Sequence, residues 1–498
     1  GRTKEKFRGK ERGLFGFLTD EKIRRKLLER FNLIRNDIRE DLRKIASTSV
    51  NQNLKYTPAE IKEIINKKPR ELRQYLDIGQ AGEGLLFLYL AYKYIHDSGV
   101  ISFVLPRGLL AGISWFLARV LLASKFHLKY VIVSSDPNNG YNFSEGVSLS
   151  ETLVIAKKVE KHDDEETVFI NLIRKPKTAL EAILLAKKIN EAIRKGDTYI
   201  EIEADGAAAL INRIKRKVLL EYIDNWNRFV AIPNPNIQKI IFELIVGGRI
   251  HLERDAHHLN IPITRLNSII KTLGIDAHQF HDNFKKVSIK TPYPILYGGE
   301  ESIRGKMLVE SNAYADLKTN RAGDIFDAYA GKILLPDRIR WNTAHVVALY
   351  SKKPILSNIF YSVNLNVDTN IKDLMEKSLV LWLNTTWGLL TVLISRQETE
   401  GAWSRLKMAQ WRLLPILDIT KIGLDTLKEL AKIFDNYANK VPRRIPEQFN
   451  PENPDPVRLG IDLDFLRALN PDINFDKAKD SLLKLYKHIH NALTLWIG

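Results

Sequence analysis

Two kinds of apolar pattern alternate along the first third of the chain. The segment "TDEKIRRKLLERFNLIRNDIREDLRKIA" starts like a helix, with Thr19 as its cap and Asp20 and Glu21 suited to the first turn. "TPAEIKEIINKKPRELRQYL" predicts a second helix, capped by Thr57 with Pro58 at its first position. "EGLLFLYLAYKYIHDSG", far more apolar, predicts a third that ends at Gly99. "VISFVLP" then reads as a short, continuous apolar run of β-forming residues, the mark of a buried strand. The helix "LLAGISWFLARVLLASKF" and the strands "LKYVIVSS" and "ETLVIAKK" follow. Helices alternating with fully buried strands predict an α/β sheet with helices on its faces.

Beyond this, "KPKTALEAILLAKKINEAIRKG" predicts a connecting helix, and the pattern from about Ile200 to Pro294 is mostly helical. Strands and loops dominate from about 300 to 420, with "GKILLP" and "LSNIFYSVN" as apolar runs. The remainder, 421–498, reads as a helical tail broken by the proline-rich "VPRRIPEQFNPENPDPV". No internal repeat is visible.

Composition sharpens the picture in two ways. A chain of 498 residues exceeds one ordinary core, so two to four domains are expected. The absence of cysteine excludes disulfides, thiolate metal sites and a cysteine nucleophile, and fits a cytoplasmic protein. No window approaches the ~18 apolar residues of a membrane span, and no signal-peptide pattern opens the sequence. The formal charge is +17, and residues 1–75 alone hold 21 Lys/Arg against 11 Asp/Glu. Such an excess draws a polyanion over long range, which points to nucleic acid; a solvated basic surface is the plain alternative.

Residues 78–158 carry a resemblance. A helix leads through Ser98 and Gly99 into a strand ending at Pro106; a later polar loop, "NFSEGVSLSETLVIAKK", bears Phe143 ahead of Thr152 to Ile155. This order resembles the second half of the catalytic domain of gamma-type adenine-N6 DNA methyltransferases and related single-chain restriction–modification proteins. The resemblance implies double-stranded DNA as partner, S-adenosylmethionine as methyl donor and Phe143 as the ring that stacks on the flipped adenine. "LWLNTT", Leu381 to Thr386, and the aromatic-rich stretches around it look like the target-recognition domains of these proteins.

One departure is large. The catalytic Asn/Asp-Pro-Pro-aromatic tetrapeptide and the glycine-rich donor loop are absent; Asn-Pro occurs only at 234–235, 450–451, 453–454 and 470–471, with no second proline and aromatic after it. In the gamma order both motifs lie upstream of "VISFVLP". The chain therefore resembles the part that follows the tetrapeptide, with the donor site outside it, on a missing N-terminal half or a separate catalytic subunit. The implied fold is the second half of a Rossmann-like sheet over 1–160, including a basic helical insertion. A helical connector over 161–295, a mixed α+β target-recognition domain over 296–420 and a helical tail over 421–498 would complete it.

Methylating an adenine inside a duplex requires taking the base out of the stack, and an aromatic face can hold it there. Phe143 is the first candidate and Tyr141 the second; a ring plugging the edge of a core is the alternative. Lys and Arg supply phosphate affinity, and Arg can read guanine edges. "PDRIRWN" places Arg338 and Arg340 on one face if extended, with Trp341 adjacent. "SRQETEGAWSRLKMAQWR" adds Arg396, Trp403, Arg405, Lys407 and Arg412 beside a glycine. The histidines at 251, 257, 258, 278 and 281 show no carboxylate in a ligand pattern, and methyl transfer needs no metal, so none is expected. Glu201, Glu203 and Asp205 read as an exposed strand edge. The other functions weighed are a DNA-specificity subunit without its own donor site and a basic RNA-binding scaffold.

Overall fold

The computed structural model of the chain describes residues 21–49, 75–78, 81–136, 138–145, 150–252, 259–299, 301–398 and 403–497. The expected basic segment 1–16, most of the helix expected over 57–76, and His257 and His258 lie outside the described residues. The chain divides into two compact units, Gly1–Val230 and Ala231–Gly498, both mixed α/β.

The first unit is built on a six-stranded sheet of β1 (Val100–Pro106), β2 (Phe126–Ser134), β3 (Glu151–Lys158), β4 (Glu166–Arg174), β5 (Ile200–Ala204) and β6 (Ala207–Lys215), in the order β1-β3-β2-β4-β6-β5. β3 runs antiparallel to both β1 and β2, with Val104 opposite Leu153 and Ile132 opposite Leu153. β1 and β2 are therefore parallel to each other, and β4 is parallel to β2. Helices α1 (Glu21–Ser49), α2 (Glu83–Tyr94) and α3 (Phe116–Lys125) accompany these strands, and α4 (Ala179–Lys195) follows β4. The apolar composition of α3 reflects its surroundings, since eight of its ten residues are buried. Arg119 is one of them. Its guanidinium donates to the carbonyls of Leu109, Gly112, Ile223 and Asp224, and burial lowers its pKa to about 10.

The stretch expected to be a helical connector, 161–295, instead contributes β4, β5 and β6 to this sheet. The β5–β6 hairpin closes on Asp205 (φ +46°) and Gly206 (φ +85°), the pair of left-handed residues that an Asp-Gly turn supplies. β5 is an edge strand with Glu201 and Glu203 exposed.

In the second unit, an eight-stranded sheet packs beside helices α5 (Thr369–Leu383), α6 (Thr386–Ser395), α7 (Leu424–Tyr437), α8 (Pro456–Leu469) and α9 (Phe475–Ile497). The "LWLNTT" segment is the corner between α5 and α6, which meet at 71°. Thr385 caps α6 by accepting from the Gly388 N–H at 3.2 Å, and a Cβ on Gly388 would collide with the Trp382 carbonyl. Asn384 accepts from Val347 N at 2.8 Å and donates to Ala348 O at 2.8 Å. Asp462, wholly buried on α8, accepts from Thr386 N, Thr386 Oγ1 and the Tyr486 hydroxyl. Burial raises its pKa against the opposing pull of Arg458. Arg458 donates to the Asn384 carbonyl and, through Nε and Nη2, to Gln448 Oε1. Trp382 and Trp387 flank Phe465 at 5.6 and 6.0 Å. Among the described residues no single helix is long and apolar enough to cross a membrane.

Removing the Asp462 carboxylate strands three buried donors and takes away the charge opposite Arg458. Asp462→Ala is expected to lower the free energy of unfolding by about 3–5 kcal/mol, and Asp462→Asn, which keeps one acceptor oxygen, by less. Equilibrium urea unfolding of the two variants checks this; equal midpoints for wild type and Asp462→Ala would remove the carboxylate from its role.

Candidate functional site

The carboxyl ends of the parallel strands β1, β2 and β4 lie on one side of the sheet, because Pro106 stands opposite Glu151, Val133 opposite Thr152, and Ser134 beside Leu172. Crevices at such ends are where open α/β sheets bind ligands. The loop from 135 to 150 starts there and carries the two candidate rings.

The described part of the loop is tied down by Asp136 within it and by Glu151 and Lys175 outside it. Asp136 is buried, and its carboxylate accepts from the backbone N–H groups of Asn138, Asn139 and Lys175 and from Asn139 Nδ2, all within 2.8–3.1 Å. Burial pushes its pKa up, but these hydrogen bonds, Asn139's first, outweigh it and leave it below 3.8. Ser134 Oγ donates to Gly140 O at 2.9 Å, and Gly140 takes the positive φ of +76° that the turn needs. Lys175 Nζ reaches Asn142 O at 2.9 Å. Glu151 Oε2, at the start of β3, accepts from both Phe143 N and Ser144 N at 2.8 Å. Arg107, just past β1 and buried, donates to Ser134 O and Asn227 Oδ1 at 3.3–3.4 Å.

This frame sets Phe143 at a border. Its ring is half-buried and packs against the apolar cluster of β4, β5, β6 and α4. Tyr141 is exposed at 37%. The rings differ in setting: Phe143 is anchored on the core cluster and Tyr141 is the more exposed. The sequence reading named both rings but missed Asp136, Lys175, Arg107 and Glu151. "DPNNGYN" signals a turn, yet its partners are Glu151 on β3 and Lys175 just past β4, outside the turn's own window.

The basic candidates fall in the second unit, where three short strands form a small sheet: β7 (Arg338–Arg340), β8 (Gln397–Glu398) and β9 (Trp403–Arg405). Arg338 pairs with Arg405, and Arg340 with Trp403. Arg338 and Arg340 share the exposed face, as period-two alternation predicts. Arg405 Nε donates to Asp337 Oδ1 at 3.3 Å; that carboxylate also accepts from the Tyr361 hydroxyl at 2.7 Å. Burial, and then the Arg405 charge, hold the Lys407 amine below its ordinary pKa against the pull of Asp337. The sequence therefore brings together Arg338, Arg340, Arg405 and Lys407.

Trp341, Arg396 and Arg412 are core residues, and the basic surface is built without them. Trp341 is 1% exposed and donates to Ser404 Oγ at 2.7 Å. It sits in the turn just past β7, and the Ser404 bond holds its indole inside. Arg396, also 1% exposed, donates to the carbonyls of Leu393 and Ala231. Arg412 donates to Asn267 Oδ1 at 2.9 Å. Trp403 contributes backbone to β9; its side chain lies outside the described residues. A groove of about 750 Å³ in the same unit is lined by Lys271, Lys353 and Lys372 together with Asn364 and Phe326, none of which the sequence reading singled out. Among the described residues no group of three or more His, Asp or Glu is placed to hold a metal ion.

No family model and no curated protein matches the sequence. Among solved structures, the chain is similar to the type IIG restriction endonuclease BpuSI, with 14% identity and a TM-score of 0.33 over 87% of this chain and 51% of that one. It is also similar to the type IIL restriction–modification enzyme MmeI in complex with DNA, with 12% identity and a TM-score of 0.34 over 86% of this chain and 55% of that one. The chain thus spans about half the length of each.

Asp136 generates a prediction. Its folded pKa is below its unfolded value, so its contribution is in place above about pH 4 and is lost only as pH falls through the folded value. Asp136→Ala should expose the amides of Asn138, Asn139 and Lys175 to exchange at least about tenfold faster at neutral pH, corresponding to ~1–3 kcal/mol of lost local stability. Hydrogen exchange with peptide-level resolution reads this; unchanged protection would show that the loop is held by other contacts.

Proposed function

We propose that the chain is the part of an S-adenosylmethionine-dependent DNA adenine-N6 methyltransferase that follows the catalytic tetrapeptide, together with its target-recognition domain, in a restriction–modification or phage-defence system. The observation that carries the reading is the tethered loop at the carboxyl ends of β1, β2 and β4, which holds the Phe143 ring half-exposed. β1 and β2, parallel, joined through α3 and with β3 between them, support reading this sheet as half of a Rossmann-like one. In this reading Phe143 stacks on the extruded adenine. Unstacking a base costs a few kcal/mol, and an aromatic face returns about 1–3 kcal/mol of it. The exposed Arg338 and Arg340, with Arg405 and Lys407 beside them, hold the duplex through phosphate and base-edge contacts. The donor and the proton-accepting tetrapeptide come from the missing half. A DNA-specificity subunit acting with a separate catalytic chain keeps every one of these contacts.

The chain alone is expected to bind duplex DNA with a steep salt dependence and to show no measurable binding of S-adenosylmethionine. With six to ten phosphate contacts, affinity falls by about 10³–10⁵ between 50 and 200 mM salt. Fluorescence anisotropy across that range reads the slope, and Arg338→Glu/Arg340→Glu should flatten it by about two contacts. A flat response in the wild type would reduce the +17 charge to a solubility device. Micromolar donor binding in calorimetry would contradict a donor site outside the chain.

In the complete enzyme, Phe143→Ala should lower methylation by roughly 5- to 150-fold while leaving sequence-specific DNA binding nearly intact, and Phe143→Trp should retain most activity. 2-Aminopurine fluorescence at the target position reports extrusion directly. If Phe143→Ala leaves both fluorescence and turnover unchanged, Tyr141 becomes the stacking ring; if it unfolds the chain, the ring is a core plug.

A further inference from the structure

The groove of about 750 Å³ in the second unit has a chemistry that the basic surface at β7 and β9 does not share. Three amines line it from three separate elements. Lys271 stands on the edge strand Ile270–Leu273, Lys353 on the strand Leu349–Ser357 and Lys372 on α5. Among the described residues the amines of Lys271 and Lys353 take part in no ion pair or hydrogen bond, and Lys372 has Glu376 Oε1 at a distant 3.9 Å. Asp327 is the one carboxylate among the described lining residues, so the walls carry three positive charges against one negative, a surplus of two.

Lys353 reaches the groove because its strand is deformed. Gly331 stands opposite Ile355 and Ile333 opposite Tyr350, so Lys332 alone faces the run from Ser351 to Pro354. The excess bulges outward: Lys352, Lys353 and Pro354 are exposed in a strand whose other residues are all buried. Pro354 has no N–H to return to the ladder, which keeps the bulge open. Bulges re-aim side chains and are over-represented beside functional sites.

The remaining walls are apolar or hold a single oriented acceptor. Phe326 and Ala330 belong to a buried cluster, and Tyr293 meets the Phe326 ring edge-on, with centroids 5.2 Å apart at 71°. Pro292, Pro294 and Pro354 add rigid apolar rings. Asn364 donates through Nδ2 to Ala330 O at 2.8 Å and to Thr272 Oγ1 at 3.1 Å, and the Thr272 hydroxyl donates to Ala328 O at 3.3 Å. Both amide hydrogens are spent. Oδ1, which accepts no hydrogen bond among the described residues, is left as an acceptor beside the lysines.

The ligand that uses every wall carries a phosphate, a flat apolar body and an N–H donor. A duplex keeps its bases stacked inside and shows its phosphates outside, so it would use the lysines and leave the Phe326 wall wet. A free nucleotide presents all three features at once. Its monophosphate carries close to two negative charges at neutral pH, which matches the surplus in the groove. The volume lies within the range of small-molecule sites. We propose that this groove binds a free nucleoside monophosphate. Lys271, Lys353 and Lys372 hold the phosphate, the base lies along Phe326 and the prolines, and an N–H of the base donates to Asn364 Oδ1. The assignment stands apart from the methyltransferase reading and does not rest on it.

Calorimetry of the full chain with adenosine, guanosine, cytidine and uridine monophosphate tests this. At least one should bind one-to-one, and hydrogen exchange should show protection gained by the amides of 349–357 when it does. Its nucleoside, which lacks the phosphate, and inorganic phosphate, which lacks the base, should each bind at least about tenfold more weakly. Lys271→Ala/Lys353→Ala, both at exposed positions, should weaken nucleotide binding about 100-fold, roughly tenfold for each lost charged contact. Arg338→Glu/Arg340→Glu, which line no part of the groove, should leave it unchanged. Each of four results overturns the proposal: no binding of any of the four nucleotides at about 1 mM, inorganic phosphate bound as tightly as the nucleotide, full binding by the lysine double variant, or stoichiometric displacement of the nucleotide by a short duplex. The last would make the groove part of the DNA surface.

Discussion

One buried carboxylate organises the second unit. Asp462 has no solvent, so its oxygens must find donors inside the protein, and they find them at the start of α6 and on α9. That requirement binds three helices at one point. Arg458, one turn earlier on α8, meets the same demand by donating to the Asn384 carbonyl and to Gln448, which in turn donates to His345 O and Arg443 O. The sharp corner between α5 and α6 is possible because Gly388 has no Cβ to strike the Trp382 carbonyl. Breaking the carboxylate's bonds leaves buried donors and a buried cation unmatched, which is why the network resists partial loss.

In the first unit the organising constraint is topological. β3 returns antiparallel between β1 and β2, which brings Glu151 to the mouth of the loop that follows β2. Glu151 then receives the amides of Phe143 and Ser144, while Asp136 gathers those of Asn138, Asn139 and Lys175. The ring is therefore presented by a loop in which carboxylates receive four described amides, while the ring itself packs on the apolar cluster. Such a loop can keep an aromatic half-exposed without collapsing it into the core.

Several features were legible in the residues. Continuous apolar runs such as "VISFVLP" and "LKYVIVSS" are β1 and β2, and the polar loop with its aromatic lies between β2 and β3 as read. Period-two alternation placed Arg338 and Arg340 together on the exposed face of β7. The hairpin of β5 and β6 was hidden because "AAALINRIK" is alanine-rich and has no clear period; it is a strand because it lies between β4 and β5 in a buried sheet. Arg396 gave no sign of burial, since an arginine after a helix reads as solvated until the carbonyls that receive it are known.

The division between the two sources is physical. Local chemistry, carried by neighbouring residues, determined by itself the α/β alternation, the basic excess, the turn at 135–150, the two candidate rings and the extended arginine pair. Tertiary structure alone decided which polar groups are buried and by whom they are satisfied: Asp136 by Lys175, Arg107 by Asn227, Asp462 by Thr386 and Tyr486. It also decided that β1 and β5 lie at the two ends of the sheet. Partners separated by tens to hundreds of residues leave no pattern in a window of sequence, because burial and pairing are properties of the packed chain and exist only once the sheet order is set.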